Sequence, residues 1–238
     1  MKKIVLLFLF CVFGSNVQAI NITASSWLVA DGTGKIIEGT NTNEVRSIAS
    51  ISKLITVMTV LDAGQDLNQK IKTYTRHELI RLALVKSDNN AAMLLCENYP
   101  TGRLNCIRAM NDKMQSLGLT HTMFIEPTGL SVMNVSTAEE LIKIVMAAQQ
   151  YPVIVNASNT RTDRIKNKKK WYNFNNTNPI VSSYHFMVSK TGYIKASGGC
   201  IVMMLDTSKG RRIVVLLNSK NTRTRIPEAE FIANLTVR

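Results

Sequence analysis

The sequence predicts an α+β domain, with one antiparallel sheet packed by helices. Three observations carry this expectation. Apolar residues make up 45% of the 238 positions, enough for a packed core. Strand-like segments lie towards both ends of the chain, while the stretches between them place apolar residues at helical spacing. No repeat or linker-like composition divides the chain, so a single layered unit is expected.

The first residues stand outside this unit. Met1-Lys2-Lys3 is a basic start, Ile4 to Gly14 is apolar, and Val17-Gln18-Ala19 is a loose small-x-small site. The pattern reads as an export signal cut after Ala19, leaving 20–238 as the domain; an uncleaved anchor is the competing reading. Cys11 lacks the small residues that a lipidation site needs before it. No later stretch is long and apolar enough to span a bilayer, so no stable membrane anchor is expected after cleavage. Removal of Lys2 and Lys3 lowers the formal charge from +13 to +11. A surface this basic suits an anionic partner such as nucleic acid, anionic lipid or cell-wall polymer.

Within the domain, Ser26 to Ala30 reads as a strand, Asp31-Gly32-Thr33-Gly34 as a turn and Lys35 to Glu38 as the returning strand. A helix starts near Ser50 and ends around Gly64, with Leu54, Ile55, Val57, Met58, Val60 and Leu61 forming its apolar run. Thr75-Arg76-His77-Glu78 is a capping box opening a helix that breaks at Ser87-Asp88-Asn89. Helices follow from Ala91 to Leu95 and from Leu104 to Leu117, the second stopped by Gly118. Glu126-Pro127-Thr128-Gly129 is a turn, and Ser136-Thr137-Ala138-Glu139 caps a helix running to Ala148. The basic run from Arg161 to Lys170, followed by Trp171, Tyr172 and Phe174, has the composition of a single-strand nucleic-acid binder. In an exported protein it reads instead as a solvated loop, and no nucleic-acid partner is expected. A strand ends at Ser189-Lys190-Thr191-Gly192. Cys200 to Leu205 and Arg212 to Leu217 form a hairpin around Asp206–Gly210, and a last helix begins near Pro227.

Three short motifs carry chemistry. Ser50 and Lys53 stand one helical turn apart, so hydroxyl and amine share a face at a helix N-terminus, where unpaired N–H groups gather. Ser87-Asp88-Asn89 and Lys190-Thr191-Gly192 follow in that order. Together the three match the signature of penicillin-binding proteins and class A β-lactamases. In this reading Ser50 attacks a carbonyl and Lys53, neutralised by burial and a second cation, takes its proton. Lys190 supplies that cation and can hold a substrate carboxylate. Ser87 relays a proton to the leaving nitrogen, Asn89 orients substrate and Lys53, and Gly192 lets the strand approach the substrate closely.

The wording around these motifs is narrower. Ser47-Ile48-Ala49-Ser50-Ile51-Ser52-Lys53-Leu54 resembles the nucleophile segment of low-molecular-mass penicillin-binding proteins, and within them the D-alanyl-D-alanine carboxypeptidase and endopeptidase family, endopeptidase branch. Val60-Leu61-Asp62-Ala63-Gly64, Glu126-Pro127-Thr128-Gly129-Leu130-Ser131, Thr177-Asn178-Pro179 and Ser189-Lys190-Thr191-Gly192-Tyr193 continue the resemblance, which spans roughly Ser26 to Asn218. It implies a β-lactamase/transpeptidase-like serine peptidase fold and a periplasmic enzyme cutting peptidoglycan stem peptides after D-alanine through an acyl-enzyme on Ser50. It also implies oxyanion donors at the N–H groups of Ser50 and Tyr193, and β-lactams as covalent inhibitors. Two departures stand out. Ser87 follows Ser50 by only 37 residues, so Gln69 to Tyr74 must span what relatives fill with an extra strand and loop. Only 46 residues follow Gly192, where the family's carboxypeptidases continue into a further β domain; this favours the endopeptidase branch.

Two other readings compete: a class A-like β-lactamase, with Glu126 as the acid that activates water, and a catalytically idle wall-binding protein. His77, His121 and His185 lie outside any catalytic motif and lack zinc-ligand spacing, so neither metal nor cofactor is expected. After cleavage three cysteines remain; Cys96 and Cys106 can pair across a helix–helix connection, or all three can be buried thiols.

Overall fold

The computed structural model describes residues 21–167 and 169–235; the expected export segment, residues 1–19, lies outside the described residues. β1 (Ser26–Asp31) and β2 (Ile36–Thr40) form the first hairpin. β3 (Arg46–Ser47) leads into a 3-10 turn at Ala49–Ile51 and then α1 (Ser52–Asp62). A two-residue hairpin, β4 (Lys70–Ile71) with β5 (Tyr74–Thr75), precedes α2 (Arg76–Arg81), which widens into a π-helical turn at Leu82–Lys86. α3 (Asn89–Glu97), α4 (Arg103–Ser116), β6 (Val135–Ser136), α5 (Ala138–Ala148) and α6 (Pro152–Asn159) follow. β7 (Thr162–Asn167) and β8 (Lys170–Asn175) make a second outlying hairpin. β9 (Phe186–Ile194), β10 (Gly198–Thr207), β11 (Gly210–Ser219) and α7 (Arg225–Ala233) close the chain.

The main sheet is antiparallel and ordered β2-β1-β11-β10-β9. Its central strands are apolar at almost every position because both faces are covered. Leu28, Val202, Met204, Ile213, Val215 and Leu217 enter the larger core, shared with α1 and α5. Their neighbours Trp27, Val29, Ile201, Met203, Val214 and Leu216 turn to the opposite face, under Ile226, Ala229 and Ile232 of α7. α1 lies inside the molecule, buried from Ser52 to Val60. That explains an apolar run too continuous for a surface helix.

The expected strands at both ends, the capping box at Thr75 and the break at Ser87 are present. The cap before α5 is Thr137, whose hydroxyl accepts from Glu140 N. The short arm is filled by β4 and β5. β9 runs past Gly192 to Ile194, so the lysine motif lies mid-strand rather than at a strand end. α7 begins at Arg225, two residues before Pro227.

The basic run is not a loop. It forms β7 and β8, which bury Ile165 and Phe174 and leave Trp171 more than half exposed. The hairpin is fastened to α2 by the Arg81 guanidinium on both carboxylate oxygens of Asp163. Its alternation is hard to read because each strand buries only one large apolar residue, Ile165 or Phe174, among exposed neighbours that are mostly polar or charged.

Cys96, near the end of α3, is joined to Cys106 in the first turns of α4, with their Cα atoms 5.4 Å apart. Cys200 is the buried free thiol. Closing a loop of this size stabilises a fold by about 2–3 kcal/mol through the unfolded state. The Cys96→Ala/Cys106→Ala variant is therefore expected to lose about that much in urea unfolding, with a slope that is equal or steeper because the denatured chain loses a crosslink.

Candidate active site

Ser50 sits in the 3-10 turn ahead of α1, and Lys53 lies on the first turn of the helix. Lys53 has no exposed surface. Its Nζ donates to three oxygens: Ser50 Oγ at 2.8 Å, Asn89 Oδ1 at 2.7 Å and the Thr128 carbonyl at 2.6 Å. Burial pushes its pKa down to about 8, against the opposing pull of Glu126 and Asp88. At pH 7 about a tenth of such a group is neutral. A neutral amine has two N–H donors and one lone pair. Asn89 Oδ1 and the Thr128 carbonyl can only accept, so they take the two N–H groups and leave the lone pair facing the Ser50 hydroxyl.

Ser87 and Asn89 come from the break between the π-helical turn and α3. Ser87 adopts a left-handed conformation, φ 61°, and Asp88 caps α3 through Ala91 N at 3.0 Å. The reversal aims Ser87 Oγ at Lys190 Nζ, 2.8 Å away, while Asn89 reaches Lys53.

Lys190, also buried, donates in addition to the Thr191 carbonyl at 2.8 Å. Burial first, then Lys53 and Arg225, hold its pKa well below the ordinary lysine value. Val188, Lys190 and Gly192 share the face of β9 that looks towards α1. A Cβ on Gly192 would lie 2.9 Å from the Ile48 carbonyl and 3.0 Å from Ser50 N, so glycine lets β9 press against the turn that carries Ser50. Thr191 is held by Thr177, hydroxyl to hydroxyl at 2.6 Å. Tyr193 opens outward, about half exposed.

Sequence reasoning missed two parts of this site, and a third, Glu126, it left between two roles. The Thr128 acceptor is a backbone carbonyl, which no residue type announces. Arg225, ahead of the expected helix start, donates from Nη1 to the Gly192 carbonyl at 2.7 Å and carried no motif. Glu126 is a brace for its own loop: its carboxylate accepts from Thr128 N and Oγ1, Gly129 N, Ser131 N and Asn134 Nδ2. Asn134 in turn donates to Ser52 Oγ at 3.0 Å. The turn reading of Glu126 therefore describes its role better than that of a free acid.

A family model described as D-alanyl-D-alanine carboxypeptidase, peptidase family S11, matches residues 14–73 and 66–221. The chain belongs to this family. Among relatives of the S11 chain, the D-alanyl-D-alanine endopeptidase of Escherichia coli K12 is 37% identical over 87% of this chain and 75% of its own length. That of Pseudomonas aeruginosa is 32% identical over the same shares. The Streptomyces K15 DD-transpeptidase has the same fold, with a TM-score of 0.82 at 23% identity over 90% of this chain and 97% of its own. Penicillin-binding protein D2 of Listeria monocytogenes, solved with ampicillin bound, superposes with a TM-score of 0.80 at 21% identity, covering 89% and 96%.

The S11 site depends on a loop pressed against its serine. Gly129, at φ +81°, lies where a Cβ would fall 2.0 Å from the Ala49 carbonyl and 2.7 Å from Ser50 N. Gly129→Ala adds left-handed strain to a backbone clash, and is expected to cost at least about 2 kcal/mol in chemical unfolding. It is also expected to slow acylation by a fluorescent penicillin in whatever protein remains folded.

Proposed function

We propose that the chain is a periplasmic serine D,D-peptidase that cuts peptidoglycan crosslinks after D-alanine, as an endopeptidase. The observation that carries this reading is the buried Lys53 amine, in contact with Ser50, Asn89 and the Thr128 carbonyl at once. The relatives' names supply the substrate class, and the ampicillin-bound relative supports acylation by β-lactams. The export signal expected at Met1–Ala19 supports action outside the cytoplasm. No helix among the described residues is long and apolar enough to cross a membrane.

The mechanism follows from the geometry. Ser50 Oγ attacks the carbonyl carbon of the D-alanine residue as its proton passes to the Lys53 lone pair. The oxygen that gains charge turns to the N–H groups of Ser50 and Tyr193, on the turn and strand that Gly192 brings together. The C–N bond then breaks. Ser87, held by Lys190, hands its proton to the leaving nitrogen and is reprotonated by the ammonium formed at Lys53, so the base is neutral again as the released amine carries away the second stem peptide. Water attacks the ester while giving a proton to neutral Lys53, and that proton returns to Ser50 Oγ as the ester C–O bond breaks and the acyl peptide leaves. Throughout, Lys190 holds Ser87 beside the reacting centre, where its amine can face a substrate carboxylate.

The base sets the pH profile. Lys53 works in its neutral form, so the acylation rate should rise about tenfold per pH unit up to about pH 8 and level off above it. A stopped-flow series with a chromogenic β-lactam measures this, and a profile flat from about pH 6 to 8 would move the base elsewhere.

Ser50→Ala should lose both penicillin labelling and peptide cleavage. Lys53→Ala should fold while slowing acylation by about 10²–10⁴-fold. Covalent labelling of Ser50→Ala would sink the assignment. For substrate choice, kcat/KM for a crosslinked muropeptide dimer is expected to exceed that for D-alanine release from a pentapeptide. The reverse order would make the enzyme a carboxypeptidase.

A further inference from the structure

On the outer side of the Ser87–Asn89 break lies a cleft of about 910 Å³ that the chemistry above does not use. Its size falls in the range of ligand sites, about 300–1,000 Å³. α2, the π-helical turn and α3 form one wall, with Leu79, Leu82, Ala91 and Leu94 as an apolar floor. The other wall is the β7–β8 hairpin, which contributes Lys169, Lys170, Trp171 and Tyr172. The catalytic break is shared between cleft and active site. Ser87 and Asn89 hold the two lysines of the site, whereas Asp88 and Asn90 line the cleft.

We propose that this cleft seats a carboxylate-bearing segment of the second peptide in a crosslinked substrate. The proposal rests on the D,D-peptidase reading and extends it to the recognition of a crosslink.

Charge is the first argument. Lys86, Lys169 and Lys170 line the cleft against the single acid Asp88. Asp88 is already engaged, pairing with Lys86 at 3.3 Å and capping α3. Among the described residues no ion pair holds Lys169 or Lys170, and both are exposed. Two cations over an apolar floor suit a short peptide that presents free carboxylates beside aliphatic side chains.

Rigidity is the second. The hairpin is clamped to α2 through Arg81 and Asp163. Lys86 lies over the Tyr172 ring, 4.8 Å from its centre, and the Arg164 guanidinium lies over Trp171 at 4.7 Å. The aromatic wall is therefore held in place, and binding needs little ordering of it. The short arm is the third: β4 and β5 bring Tyr74 to the cleft edge with only two residues in each strand.

The test uses the signal built into the cleft. Trp171 is exposed there and the other tryptophan, Trp27, is buried. In a Ser50→Ala background, which cannot turn over substrate, Trp fluorescence is titrated with a purified crosslinked muropeptide dimer. The same dimer with amidated carboxylates, and a single-stranded oligonucleotide, serve as comparison probes. The expected result is saturable binding that weakens with salt, falls at least tenfold on amidation, and falls at least tenfold in Lys169→Glu/Lys170→Glu. In the Ser50-containing enzyme, the same pair of substitutions should raise KM for the dimer while leaving kcat and the penicillin acylation rate unchanged.

Equal dimer affinity with and without the two lysines overturns the proposal. So does an oligonucleotide that binds as tightly as the dimer, because the cleft would then read charge alone. Equal losses in acylation and dimer cleavage would make the hairpin a structural support, which overturns it too. Failure of the underlying reading looks different: unsubstituted enzyme then resists penicillin, whatever the dimer does in the cleft.

Discussion

A lysine amine sealed from water is the constraint around which this fold is arranged. Leaving an ammonium without solvent costs several kcal/mol unless oxygens replace the water it loses. For Lys53 the residual cost appears as a pKa lowered from 10.5 to about 8, roughly 3 kcal/mol. The oxygens that limit it come from three places: the turn before α1, the start of α3 and the loop after Glu126. Each must be held, and each is. Asp88 caps α3, the Glu126 carboxylate gathers its loop, and Asn134 ties that loop to Ser52. Stability and reactivity meet at this amine, since the same burial that costs folding free energy makes it a base near neutral pH.

A second layer of charge surrounds the first. Lys190 and Arg225 are both buried, and the charges of Lys53 and Arg225 make Lys190 harder to protonate. Such a cluster is unstable in isolation and welcoming to an anion. The Gly192 carbonyl gives Arg225 a neutral partner rather than a carboxylate, so this contact leaves its charge unbalanced, while Glu126 and Asp88 act on Lys53. Positive potential thus persists where a substrate carboxylate would arrive, and it has the same sign as the whole surface.

Legibility in the sequence followed chain distance. Ser50 with Lys53 was readable because one helical turn joins them, and the apolar run of α1 marked the element that carries both. Lys190, Thr191 and Gly192 were readable as a motif, but their mid-strand position was not, because Gly192 reads as a strand end although Tyr193 and Ile194 continue β9. The helical order was clear wherever a capping residue or glycine marked a boundary. α6 escaped notice although Pro152 stands at its start, and β7–β8 hid its period beneath lysines. Pairing between distant residues left no trace: Arg225 on Gly192 and Arg81 on Asp163 are matters of three-dimensional approach, whereas the bond between Cys96 and Cys106, ten residues apart, was one of two readings that the sequence left open.

The order of strands has a temporal consequence. β1 lies inside the sheet, with Ser26 opposite Leu217 and Asp31 opposite Arg212. β1 therefore waits for β11, which follows every other strand of the sheet, and β9, which carries Lys190, joins that sheet only through β10. Pairings this remote in sequence form slowly, because chain closure is opposed by entropy before any contact rewards it. The sheet therefore stays open until β11 has been made. The nucleophile and its base, although neighbours in sequence, become a working pair only when the last strands arrive.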